Sequence, residues 1–292
     1  MTYFRSMAKI LLTGIITLDI INYIDQYPAE NMEIRAHGQQ LSFGGNAHNT
    51  AQVLSQYQHQ CYLASTIADD ASGALITTHL DEQGINYHPS FIVQNSHTPT
   101  SYITLSKSTG SRTIVHYRDL AELSIDQFTQ LDLSQFDWFH FEGRNIEQTL
   151  SMLNLARRFN KNISIEAEKD RPGIEQLFPI GDVIFFSRPY AEATGFTTAK
   201  ECLLHYANIY PDKRLSCTWG SDGAWAIAHG QLLHCPAYNA GKIVDTLAAG
   251  DTYNAAMIHA LGQGLDIRQA LQQSCELAAK KCTQFGINKL VI

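Results

Sequence analysis

"IVDTLAAGDTYNAAMIHAL", residues 243–261, opens as a short β-branched run and closes as a helix, with almost no side-chain bulk between the two. Thr246, Ala248, Ala249 and Gly250 lie between two carboxylates, Asp245 and Asp251. From Thr252 onward, apolar residues at 253, 256, 257, 260 and 261 follow the i, i+3, i+4, i+7, i+8 spacing of a buried helix face. The bend at 247–250 therefore reads as a strand-to-helix turn whose small side chains leave the first backbone N–H groups uncovered. Bare N–H donors at the positive end of a helix bind anions such as phosphate. A carboxylate at the rim of that site would repel phosphate, so Asp251 needs a reason to be there. It either caps the helix, a role that Asp favours, or takes a proton from an attacking hydroxyl while the N–H groups hold a transferring phosphoryl group.

Two more clusters favour the second role. "FGGNAHN" (43–49) puts Gly44 and Gly45 at another turn, with Asn46 and Asn49 three apart on one helical face. Asp19 falls at the end of what reads as the first strand, where ligands of open α/β sheets bind. A carboxylate and two amides can together donate and accept hydrogen bonds, which suits a polyhydroxy substrate. His48, beside Asn49, has no spacing that argues for chemistry and is assigned to packing or solvent.

Outward from these clusters, strands and helices alternate. "KILLTGIITLDIINYI" (9–24) reads as a strand buried on both faces, followed by the helix of "GGNAHNTAQVLSQY". "CYLASTIAD" reads as a strand and "ASGALITTHLDEQG" as a helix ended by Gly84. "FDWFHFEG", "NISIEAE", "DVIFFS" and "RLSCTWG" are short apolar strands separated by helical stretches such as "IEQTLSMLNLARRFN" and "TAKECLLHYANIY". That rhythm predicts a doubly wound, mostly parallel sheet with helices on both faces. "TSYITLSKSTGSRTIVHY" (100–117) alternates on both sides of "KSTGS", a hairpin signature. With "EIRAHGQQLSFGG" it predicts a small separate sheet. We read the chain as one domain, 1–292, with lid strands inserted at about 20–44 and 98–118.

The formal charge of −7 has no basic tract to offset it, so nucleic acid is not an expected partner. The six cysteines form no CxxC pair and no zinc-like spacing with histidine, so they read as reduced, mostly buried thiols. No stretch approaches the roughly 18 apolar residues of a membrane span, and the N-terminus carries no cleavable apolar segment. The expectation is a cytoplasmic protein without a membrane partner.

"DTLAAGD" (245–251) resembles the DTxGAGD signature of the ribokinase-like carbohydrate kinases, and "GGN" (44–46) is similar to their N-terminal signature. "YPAENMEIR", "TGSRTIVHY", "FHFEGRN", "IEAEK" and "AAKKCTQFG" resemble the ketohexokinase branch in order and spacing, from about residue 8 to the end. The resemblance implies a ribokinase-like α/β fold with a β-sheet lid and transfer of the γ-phosphoryl group of ATP to the C1 hydroxyl of D-fructose. It also implies Mg2+ bound mainly through ATP, leaves room for a monovalent cation such as K+, and implies a homodimer formed through the lid sheets. Carried over by position, Asp251 becomes the general base, and the N–H groups of Ala249, Gly250 and Asp251 become the anion hole. Asp19, Gly45, Asn46 and Asn49 become sugar ligands, joined by Asn31 and Arg144. An ion-pair role competes for Arg144. Arg112, in the lid hairpin, is expected at the ATP phosphates. Trp219, Gly220, Ser221 and Gly223 of "WGSDGA" and Ala248 fall on the nucleotide side. Ala278 and Cys282 fall where the last helices line an adenine pocket, with simple packing as the other reading of Cys282.

The chain departs from that pattern in three places. Ala248 stands where the family prefers glycine, at a cost of about 1–2 kcal/mol if the backbone there needs positive φ. Ser187 and Tyr190 occupy the places of an NxxE motif. Asn31 stands where an acidic residue is expected to touch sugar. These departures keep three other readings open. One is a kinase of the same fold acting on ribose or on a modified ketose such as sulfofructose. Another is phosphorylation of fructose at a different hydroxyl. The third is a catalytically silent sugar-binding protein. A dinucleotide-dependent oxidoreductase is disfavoured, because no GxGxxG follows the first strand.

Overall fold

Alternate residues of the first strand, Lys9–Thr13 (β1), enter different cores: Ile10 and Leu12 pack on one side, Leu11 on the other. A strand covered on both faces has no polar side, which is why its apolar run is continuous. The computed structural model describes residues 7–109 and 111–291. The first six residues, Gly110 in the middle of the "KSTGS" turn, and Ile292 lie outside the described residues.

After β1 come Thr17–Ile24 (β2), Gly38–Gly44 (β3), helix Asn46–Gln56 (α1), Gln60–Ala64 (β4), Thr66–Ala68 (β5), helix Ala71–Glu82 (α2), Phe91–Val93 (β6), Thr100–Ser106 (β7) and Arg112–Tyr117 (β8). The middle of the chain supplies Ile125–Phe128 (α3), Trp138–Glu142 (β9), Ile146–Arg157 (α4), Asn162–Ala167 (β10), Val183–Phe186 (β11), Arg188–Ala193 (α5), Ala199–Ile209 (α6) and Arg214–Thr218 (β12). Ala224–Ala228 (β13), Gln231–Cys235 (β14), Ala249–Gly262 (α7) and Ile267–Cys282 (α8) complete it.

Eight strands form the main sheet in the order β14-β13-β12-β11-β10-β9-β1-β4. It is parallel from β4 to β12 and antiparallel at β13 and β14. Residues of α1, α2, α7 and α8 fill one core and those of α3 to α6 the other, so helices cover both faces. The chain leaves β1 toward β4 on one side and returns to β9 on the other, which places a switch point at the carboxyl ends of β1 and β9. A second sheet, β3-β2-β7-β8, stands apart from the first, and β5 and β6 make a parallel pair.

Several sequence expectations need correction. The run 9–24 is two strands, not one: β1 ends at Thr13, and β2 belongs to the second sheet. At the break is Gly14, where a Cβ would lie 2.5 Å from the Glu142 carboxyl carbon. Asp19 therefore sits on the small sheet and not at the end of the first strand. Similarly, "CYLASTIAD" divides into β4 and β5, and only the 38–44 half of "EIRAHGQQLSFGG" is a strand. Residues 243–246 belong to no strand, so the bend is a loop-to-helix turn. Finally, α7 is buried on nearly all sides and not on one stripe, because it lies between the sheet core, α1 and α8.

Candidate active site

Two helix N-termini meet at the switch point, and each is built around a backbone shape that side chains resist. Gly45 caps α1 at φ 102, and a Cβ there would fall 2.1 Å from the Ile15 carbonyl oxygen. Only glycine fits such a position. Ala248 caps α7 at φ 57, ψ 15, the left-handed region, so the strain conditional on positive φ is present here. The Ala248 carbonyl accepts from Thr252 N at 2.9 Å, and no side chain caps this helix. Ala249 N points at Thr246 O at a long 3.4 Å. Among the described residues, the N–H groups of Gly250 and Asp251 have no acceptor. They are the orphan donors expected of an open helix end.

Asp251 is the third residue of α7 and is not its cap. Its side chain accepts from Asn49 Nδ2 on α1 at 2.7 Å, and the residue is only 6% exposed. Burial pushes its carboxyl up to about 8; the Asn49 hydrogen bond opposes the shift, and the charges of Glu142 and Glu168 add to it. Three residues on, Asn254 Nδ2 donates to Glu166 Oε1 at 3.0 Å. Burial raises Glu166 well above the ordinary carboxylate range, with Asp251, Glu142 and Glu168 adding repulsion and an Asn46 hydrogen bond opposing it. Its other oxygen, Oε2, is buried without a partner among the described residues. The charge of Asp251 thus adds to the upward push that burial gives the Glu166 carboxyl.

Glu142, at the carboxyl end of β9, accepts from Ala47 N at 2.5 Å and from Ile15 N at 3.4 Å, fastening the start of α1 to the end of β1. Arg144 gives Nε and Nη2 to Glu122 Oε1 at 2.8 and 2.6 Å, with Nη1 3.5 Å from Glu142 Oε2. The structure thus gives Arg144 the ion-pair role, on the rim of a pocket it shares with Asn46, Glu142, Gly143, Glu166, Glu168 and Arg171. Neither Glu142 nor Glu166 was singled out by sequence reasoning. The available signal was a carboxylate at or next to the end of a largely apolar strand, in "WFHFE" and "NISIEA".

Asp19 reaches this region from β2. Thr17 Oγ1 donates to its Oδ1 at 3.4 Å, and a Cβ on Gly44 would meet its Oδ2 at 2.7 Å. Burial raises its carboxyl, with hydrogen bonds from Ser101 and Thr17 opposing. The register across the small sheet aligns Ser42, Asp19, Ser101 and His116 in one polar row. Asp19, Gly45, Asn46, Asn49 and Asp251 are thereby gathered around the two helix ends.

The remaining expected residues lie further out. Arg112 is exposed at the start of β8, and Asn31 is exposed in the connection between β2 and β3 at φ 63. Trp219, Gly220, Ser221 and Gly223 form the turn from β12 to β13, on the same carboxyl edge of the sheet as Glu142 and Glu166. Trp219 is mostly buried under the Arg188 guanidinium, 5.4 Å from its ring centre. Gly223 has φ 89, and a Cβ there would meet the Cys235 carbonyl oxygen at 2.1 Å. Ala278 and Cys282 are half-buried on α8. Cys282 O accepts from Val244 N at 2.8 Å, which ties that helix to the approach to α7. Ser187 and Tyr190 do structural work: the Ser187 hydroxyl caps α5 by accepting from Tyr190 N, and the Tyr190 hydroxyl meets that of Tyr206 at 2.6 Å. His48 is fully buried against His79, as packing requires. All six cysteines are free thiols.

An open helix end beside a buried carboxylate and a face of amides, at the switch point of a doubly wound sheet, defines a class: the ATP-dependent sugar kinases of ribokinase-like fold. The chain belongs to the family described as pfkB family carbohydrate kinase, which matches residues 7–291. It is 35% identical to mouse ketohexokinase, covering 97% of this chain and 99% of that protein. The structure of Arabidopsis thaliana ribokinase complexed with ribose and ATP superposes with a TM-score of 0.82 at 18% identity, over 98% of this chain and 96% of that one. Thermotoga maritima ribokinase gives 0.79 at 21% identity, over 98% and 96%. No helix among the described residues is long and apolar enough to cross a membrane.

Proposed function

We propose that this enzyme is a ketohexokinase, transferring the γ-phosphoryl group of ATP to the C1 hydroxyl of D-fructose. The observation that carries the reading is Asp251: a buried carboxylate held by Asn49 at 2.7 Å beside two unfilled backbone N–H groups. Asp251 removes the proton from the attacking hydroxyl, and the N–H groups of Gly250 and Asp251, with Ala249, receive the phosphoryl charge as it develops. Asp19, Gly45, Asn46 and Asn49 bind the sugar, with Asn31 adding a contact from the lid. Arg112 closes on the ATP phosphates, and Trp219, Gly220, Ser221, Gly223, Ala248, Ala278 and Cys282 border the nucleotide. Arg144 acts by holding Glu142 and Glu122. The 35% identity to a ketohexokinase favours a ketohexose over ribose as the acceptor.

Among the described residues, no cluster of three His, Cys, Asp or Glu side chains could cage a metal ion. Mg2+ carried on ATP would keep several waters and take one or two carboxylates from the protein. Glu166, with its unpartnered buried Oε2, is the side chain available to it. When bound, Mg2+ offsets charge on the β- and γ-phosphates. A monovalent cation such as K+ remains part of the proposal only through family resemblance.

The second sheet, with strands at about 20–44 and 98–118, is proposed as a lid that also forms the dimer. Leu41, Ile20, Tyr102 and Val115 are aligned across its four strands by register. Leu41, Tyr102 and Val115 are 50%, 52% and 65% exposed. An apolar row this bare, backed by the polar row that carries Asp19, suits one face meeting sugar and the other meeting a second copy. The deciding experiment is a coupled ADP-release assay across sugars, with NMR of the product. Fructose 1-phosphate is expected, and a preference for ribose, or phosphate on another carbon, would replace this reading.

A further inference from the structure

Lys281, in the last turn of α8, is a lysine whose side chain is 0% exposed. Its Nζ donates to Asp245 Oδ2 at 2.5 Å and to the Asp245 carbonyl oxygen at 2.9 Å. The same carboxylate accepts from Gly286 N at 3.2 Å and Leu247 N at 2.9 Å. Cys282 O takes the N–H groups of Val244 and Asp245 at 2.8 and 3.3 Å. A desolvated ammonium is unfavourable unless it is paired and hydrogen-bonded, and Asp245 supplies both the charge and the hydrogen bonds.

Residues 243–246 have no strand partner, so no sheet ladder sets their position. The grip of α8 and the 286 turn on Asp245 does that instead. Three residues later the backbone enters the left-handed region at Ala248, and the open N–H groups of Gly250 and Asp251 follow. A shift at Asp245 therefore passes directly into the anion cradle. The ammonium is neutralised by the carboxylate it holds, so its contribution is one of geometry and not a field on the nucleotide.

We propose that Lys281 is a positioning residue for phosphoryl transfer: through Asp245 it fixes the turn that aims the Gly250 and Asp251 N–H groups. This rests on the kinase reading of Asp251. The test uses the full-length enzyme with Lys281→Ala, which vacates the space of both stem and ammonium. Turnover at saturating sugar and ATP is expected to fall on the order of 100-fold, the scale of about a 1 Å misplacement. The sugar KM should stay within about threefold, because only a transition-state contact is lost. Adding n-propylammonium should restore at least about tenfold to the variant and nothing to the wild type, while n-propanol restores neither, since the site needs a charge to pair with Asp245.

Because an unpaired buried carboxylate can prevent folding, Asp245→Asn/Lys281→Met removes both charges together. It should melt close to the wild type yet turn over slowly, without response to propylammonium. A folded Lys281→Ala with kcat within about threefold of wild type, or a loss that propylammonium leaves untouched, overturns the proposal. So does a double variant with wild-type kcat. Asp251→Asn is measured alongside. If it is inert while Lys281→Ala is unaffected, only the Lys281 role fails; if it turns over normally, the kinase reading of Asp251 fails first.

Discussion

The main sheet and the small sheet are both written in short apolar strands, yet they treat burial in opposite ways. Every residue of β9 and β10 is buried, including Glu142 and Glu166 at their carboxyl ends. Every residue of β8 is exposed, and so are the first four of β3. The difference is coverage: helices lie on both faces of the first sheet, whereas the second meets a helix only where α2 packs on β2 and His79 stacks on Phe43, and its β8 edge is left open. In the covered sheet, Glu142 and Glu166 are held dry with raised carboxyls; in the second sheet, Asp19 is raised by burial too, but the row of Leu41, Tyr102 and Val115 on its other face is left exposed. The proposed function would place chemistry in the buried region and closure in the exposed one.

The largest expected effect tests the covered region. Asp251→Asn should keep sugar and ATP binding and lose about 10²–10⁴-fold in kcat, the usual contribution of a positioned base. For the wild type, kcat/KM should rise with pH along a single-proton limb near pH 8, because the base works only when ionised and burial holds its carboxyl at about 8. The stability effect has the opposite sign. A carboxyl whose folded pKa is raised keeps its proton while the unfolded chain releases one, so its contribution is lost as pH climbs from about 4 toward 8. At pH 8 the Asn variant should therefore melt higher than the wild type, by about 1–3 kcal/mol in stability. A flat pH profile from 6 to 9 with an unchanged melting temperature would remove Asp251 from the role.

Next in size is the backbone beneath the sugar face. Gly45→Ala adds a methyl 2.1 Å from Ile15 O at φ 102, where the obstacle is main chain and cannot step aside. A loss of about 3 kcal/mol or more is expected in urea denaturation, with weaker sugar binding in whatever folds. Stability within about 1 kcal/mol of wild type would show that the α1 end is softer than its contacts imply.

The bare sheet should respond differently. Val115→Asp replaces a 65% exposed side chain, so monomer stability should stay within about 0.5 kcal/mol. Dimer affinity, read by analytical ultracentrifugation, should fall at least about tenfold, since a charge would be buried in an apolar row. An unchanged sedimentation profile would refute the lid interface and leave the sheet a lid alone.

How much of this was legible depended on distance along the chain. The cradle could be read because Ala248, Ala249, Gly250 and Asp251 are contiguous, and a helix end needs nothing remote to expose its N–H groups. Asn46 and Asn49 were legible from helical spacing for the same reason. Asp19 was assigned to the wrong strand because the contact at the break in 9–24 comes from Glu142, 128 residues past Gly14, beside a glycine whose local sequence looks like uninterrupted strand. Glu142 and Glu166 went unassigned because a carboxylate closing an apolar strand usually reaches solvent. Here it is sealed by α1 and α7, which arrive from Ala47 and Asn254. Local pattern reports local geometry, and burial of a charge is decided by partners that no window contains.

The smallest effect separates strain from function within the covered region. Ala248 holds φ 57 at the start of α7 with its side chain packed against the core, and left-handed backbone costs an L-residue about 1–2 kcal/mol. Ala248→Gly relieves that strain but frees the unfolded chain by about 0.4–1 kcal/mol, so the net gain in stability should be only about 0.5–1 kcal/mol. The activity readout discriminates further. If the methyl only strains the backbone, kcat of the glycine variant matches wild type and the melting temperature alone rises. If it also stands against the transferring phosphoryl group, kcat rises with the melting temperature while the sugar KM stays fixed, because the proposed sugar ligands lie on α1 and β2 and not on this turn. A loss of stability on substitution would mean that α7 starts differently from the turn described, and the contrast between a rigid, strained cradle and a bare, compliant lid would fail at its sharpest point.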